Sequence, residues 1–100
     1  MVEQERDTIN GRVTDVNLVE GNLELVVVHA SAVTSMVMPV TNVNNGLDVI
    51  PYALALREQA VIIDTVTVYG AEKPTVQNLR VKTGVLKGTE YSSGRGFIGD

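Results

Sequence analysis

The amino-acid sequence predicts a mainly β domain: a five-stranded barrel in the order strand-strand-strand-helix-strand-strand. Three observations predict it. Extended runs rich in valine and threonine are punctuated by glycine, asparagine and proline, and β-branched side chains suit a pleated surface. One stretch alone, Asp48 to Gln59, carries a helical signature. The first extended run is long and changes phase in its middle, as a bulged strand does.

Each element has its own warrant. The first strand is expected over about Thr8 to Val19. Ile9 and Val13 share one face and Val16 and Leu18 the other, so a bulge near Thr14-Asp15, or a bend eased by Gly11, is needed to return the apolar face to the core. Glu20-Gly21-Asn22 reads as a short turn, and the second strand, about Leu23 to Ala30, completes a hairpin. The third strand spans about Val33 to Thr41, with Pro39 marking an edge or bulge because proline cannot donate to a ladder. Asn42 to Gly46 forms a loop. Asp48 caps the helix and Pro51 falls in its first turn. Ile50 and Leu54 form its apolar stripe, with Leu56 off it. The fourth strand covers about Ala60 to Tyr69. The fifth covers about Val76 to Leu86, with Leu79, Val81 and Val85 inward and Arg80 and Lys82 outward. Residues 1–7 read as a charged arm, 8–87 as the barrel and 88–100 as a glycine-rich, flexible tail.

Composition bounds the function. One hundred residues suit one domain with one core. Aromatics make up only 4%, so Val, Leu, Ile and Met must fill that core. A net charge of −4 disfavours a nonspecific polyanion binder, which needs many Lys and Arg contacts to phosphates. The absence of cysteine excludes disulfides and thiolate metal sites and leaves the compartment open. The charged start, Met1 to Asp7, lacks the apolar core of a signal peptide. Residues 25–47 contain no Asp, Glu, Lys or Arg, but Ser, Thr, Asn, Pro and Gly interrupt them. A spanning helix, which needs about 20 mainly apolar residues, is therefore not expected. A cytoplasmic or virion location follows as the expectation.

The order of elements over residues 8–87, with the long bulged first strand Ile9 to Val16 and the helix at 48–59, resembles the OB-fold, a five-stranded Greek-key barrel. The resemblance is one of topology, and a small β-sandwich is the competing architecture. It implies a binding face on the second and third strands, framed by the loops joining strands one to two and four to five. A reader of single-stranded nucleic acid should carry stacking aromatics and basic groups there. The expected outer residues are instead Glu24, Val26, Val28, Met36 and Met38. A nucleic-acid site assembles from Tyr69, Lys73, Arg80 and Lys82 in the alternative, against the plainer reading of a solvated strand face.

The apolar set Val26, Val28, Met36 and Met38 marks a protein interface if exposed, and ordinary core if barrel and helix bury both faces. Tyr91, Arg95 and Phe97 suit a tail that docks on a neighbouring subunit, as opposed to a disordered terminus. Gly94 to Gly99 matches a dinucleotide-binding pattern, but that pattern must open a helix and only Asp100 follows. His29, the single histidine, has Ser31 and Ser35 near it in sequence but no evident catalytic partner, and a structural role is expected. Asp15 and Asp64 would act together only if a cleft joined them. One histidine and no calcium-loop spacing leave no metal or cofactor expected. The expected function is non-enzymatic: a structural or assembly protein whose partners are further copies or other subunits, such as a phage head or tail accessory protein.

Overall fold

The computed structural model of the chain describes residues 3–39 and 54–93, and 96–98 by their backbone. It is mainly β, with seven strands among the described residues: β1 (Gln4–Val19), β2 (Asn22–His29), β3 (Ala32–Met38), β4 (Ala60–Val68), β5 (Thr75–Val81), β6 (Glu90–Ser92) and β7 (Gly96–Ile98). The first five make an uneven, barrel-like ring. β1 pairs antiparallel with β4 through its first half and with β2 through its second, and Arg12 belongs to both ladders. β3 follows β2, and β5 follows β4. One parallel pair, Val37 with Thr75, closes the ring. There the Val37 N–H donates to the Pro74 carbonyl at 3.0 Å.

The phase change in β1 is a bulge at Thr14: Val13 lies opposite Val27, and Asp15 opposite Val26. The extra residue keeps Ile9, Val13 and Val16 all pointing inward and buried. Gly11 sits where β1 bends from one ladder to the other. A Cβ there would lie 2.6 Å from the Val28 carbonyl oxygen, so only glycine fits without movement. Two tight turns join the first three strands. Glu20-Gly21 and Ala30-Ser31 each hold both residues at positive φ, the conformation that matches a hairpin's twist.

Alternate residues of the five ring strands fill the interior. Leu25, Val27, Met36, Met38, Val61, Ile63 and Val76 are fully buried, as is Leu56 from the turn before β4. Leu56 is a correction: the expected stripe placed Leu54 inward, yet Leu54 is 50% exposed. The expected 48–59 helix is described only in part. Its residues 48–53 lie outside the described residues, and the rest is a single turn. Glu58, at φ 68, ends that turn, and its N–H donates to the Val13 carbonyl at 2.7 Å.

The chain ends of the barrel also differ from expectation. Gln4 to Asp7 are not an arm but the start of β1, opposite Thr65 to Val68. The fifth strand stops at Val81, and Val85 is 91% exposed in the turn that follows. Within the expected tail, β6 and β7 form a hairpin that extends this chain's own sheet beyond β5.

Candidate interaction surface

Strand pairing decides which side of β2 and β3 faces out. Leu25 lies opposite Met36 and Leu23 opposite Met38. Directly opposed residues project to the same face, so the two methionines join the buried leucines. Met36 and Met38 are 0% exposed, which corrects their expected place on an outer face. Val26 and Val28 do face outward, and their partners across the ladder are Ser35 and Val33. The outer face of this hairpin therefore carries Glu24, Val26, Val28, Val33, Ser35 and Val37, with Arg12 and Asp15 of β1 opposite Val28 and Val26. Val28 is 38% and Val33 68% exposed. Between residues 25 and 38 there is no Asp, Glu, Lys or Arg.

The expected docking tail is corrected by the same logic. Tyr91 lies opposite Leu79 in the β5–β6 ladder, is 1% exposed, and its hydroxyl donates to the Pro39 carbonyl. It fills the interior where β3 and β5 part. Burial pushes its phenol above the ordinary 10.0, with the Ser93 side chain pulling partly back. Phe97 takes its backbone place in β7 opposite Tyr91. Arg95 lies outside the described residues.

The four residues of the nucleic-acid alternative are not brought together. Lys73 and Lys82 stand at opposite ends of β5, on the order of 25–30 Å apart at strand rise. Lys73 is held by Glu24 at 2.6 Å, and Arg80 by Glu90 across the β5–β6 ladder. The Lys82 ammonium donates to Asn10 Oδ1 at 3.5 Å. Tyr69 is 83% exposed, but its neighbours in a shallow depression include Glu3 and Glu5. The β1–β2 turn and the β4–β5 loop do frame a cleft of about 370 Å³ over the end of β2. Its walls hold Glu20, Glu24 and Glu72 against one lysine, Lys73, a balance that repels phosphates.

The remaining polar residues that the sequence singles out have local partners. His29 Nε2 is 3.0 Å from Thr34 Oγ1 at the mouth of the ring, while Ser35 lies on the opposite face of the hairpin. Asp15 pairs with Arg57 at 3.3 Å, and Arg57 also donates to the Val16 carbonyl, tying the turn before β4 to the bulge. Asp64 accepts from Thr8 at 2.7 Å. Since Asp64 stands opposite Thr8, it lies on the order of 20 Å along β1 from Asp15, and the two form no acid pair. Thr8, Asp64, Asn78 and Ser92 line up across four strands in one polar row. That row passes a groove of about 460 Å³ beside the second bulge, at Gln77 of β5. Among the described residues, no three His, Asp or Glu side chains gather as metal ligands, and no helix is long and apolar enough to cross a membrane.

No family model, curated protein or solved structure matches the chain. Its functional reading therefore rests on its own surface. Exposed Val33, the residue that completes the outer valine face, was missed in the sequence. The available signal was its position directly across the hairpin from Val28.

Proposed function

We propose that this chain is a non-enzymatic assembly protein that associates with copies of itself through the outer face of β2 and β3. The observation that carries this is a cluster of outward-facing valines on an acidic chain, with charge at its margins: Glu24 opposite Val37, and Arg12 and Asp15 of β1 opposite Val28 and Val26. Val28 and Val33 stand in water there, with no charged residue between positions 25 and 38. An exposed apolar patch of this kind favours burial against another surface, and the valines at its centre carry no charge to desolvate. Building larger structures, as a phage head or tail accessory protein does, is an instance of such a role. Light scattering over a concentration series tests it. The expected mass exceeds that of the 10.8 kDa chain at high concentration. A single-chain mass throughout would sink the proposal.

A second reading keeps the OB-fold and its ligand site. It is supported by the ring order β3-β2-β1-β4-β5 closed by a parallel β3–β5 pair, and by a cleft between the β1–β2 turn and the β4–β5 loop. Oligonucleotide binding that weakens with salt, and with Lys73→Ala, Arg80→Ala or Lys82→Ala, would favour this reading.

A further inference from the structure

We infer that the open edge of β3 pairs antiparallel with β3 of a second copy, joining two rings through one continuous sheet. The inference rests on the self-association proposed above and names its mode. Hydrogen-bond direction alternates along a strand. Val37 directs its N–H toward β5, so Val33 and Ser35 direct theirs, and their carbonyls, away from β2 on that same edge. Thr34 and Met36 point the other way, into the β2 ladder. Among the described residues, no hydrogen bond reaches the main-chain groups of Val33 or Ser35 on the outer edge.

Open edges are usually blunted by charge, proline or a bulge. From Ala32 to Met38, β3 has no charged residue and no proline, and its register with β2 is unbroken. A second copy suits this edge better than a strand of other composition. Each chain carries a net charge of −4, so two copies repel wherever acidic surfaces meet. Along Ala32 to Met38 the edge opposes no like charges, the acidic cleft of Glu24 and Glu72 lying at its Val37 end. It is also self-complementary. Antiparallel pairing about Thr34 sets Val33 against Ser35 of the partner subunit, twice by symmetry, and each such pair exchanges two main-chain hydrogen bonds. Val33, 68% exposed in one chain, is then covered by its neighbour.

Two variants of the full chain test the edge. Ser35→Pro removes an outward N–H that the β2 ladder does not use, a substitution edges tolerate. Val33→Lys places a charge at a solvent-facing position. The wild type is expected to show twice the single-chain mass by light scattering, with amide protection at Val33 and Ser35 rising with concentration. Val33→Lys is expected to show the single-chain mass at every concentration with an unchanged circular dichroism spectrum, and Ser35→Pro to do the same. A wild-type oligomer whose mass survives Val33→Lys overturns edge pairing and leaves self-association standing. A wild type that stays single-chain overturns both.

Discussion

Among the described residues β3 and β5 pair at one place, Val37 with Thr75, and the edges of the two strands are treated in opposite ways. The β5 edge is covered. β6 pairs along Asn78 to Arg80, Tyr91 plugs the gap beneath, and Arg80 and Glu90 bridge the ladder above. Among the described residues, nothing pairs with the β3 edge over Val33 to Ser35, which is uncharged. A ring edge left with unpaired main-chain groups favours pairing with whatever strand can reach it.

The covered side is broken most severely at Tyr91. Tyr91→Ala removes a fully buried aromatic from the seam and should cost about 3–5 kcal/mol, read as a fall in denaturant midpoint. Tyr91→Phe keeps the ring and loses the hydroxyl with its hydrogen bonds, to the Pro39 carbonyl and with the Ser93 side chain, for about 0.5–1.5 kcal/mol. The bare side depends on how closely β1 approaches β2. Gly11→Ala would drive a methyl into the Val28 carbonyl and should cost about 1–3 kcal/mol by the same measurement. The hairpin that presents the bare edge can instead be strengthened. Ala30 and Ser31 adopt positive φ without being glycine or asparagine. Replacing them with Asn-Gly should raise stability by about 1 kcal/mol, because those residues enter that conformation readily.

The smallest expected effect is a pH dependence confined to the covered side. The Tyr91 phenol is raised above 10.0 in the folded chain, chiefly by burial. Its neutral form is thus favoured by folding, and that contribution is complete below about pH 10 and lost as pH rises through the folded value. Thermal midpoints should fall less between pH 9 and pH 11 in Tyr91→Phe than in the wild type. Equal falls would mean that the buried hydroxyl does not titrate with unfolding.

Local signals in the sequence are legible where the cause is local. The shift of phase between Val13 and Val16 announces the bulge that the structure places at Thr14, and Gly11 marks the bend beside it. The first hairpin follows from Glu20-Gly21 between two valine-rich runs. The methionines were harder. Alternation sorts Met36 and Met38 from Val37, but both sets are apolar, and only pairing with Leu25 and Leu23 says which set is inside. Leu56 failed for a similar reason: a helical stripe has no meaning where the described chain makes one turn, and Leu56 is buried because that turn is bound to β1 at Val13.

The sequence by itself determined the β character, the positions of the first turns, the bulge in β1 and the lack of charge from Leu25 to Met38. These are properties of neighbouring residues, carried by side-chain shape, backbone freedom and period. Tertiary structure alone decided that a glycine- and serine-rich terminus would become β6 and β7, and that Tyr91 would lie in the core. Strands of three residues are too short to show a period, and their stability comes from partners distant in the chain: Leu79 across the ladder and Pro39 across the seam. The same long-range pairing decided which edge was sealed and which was left open.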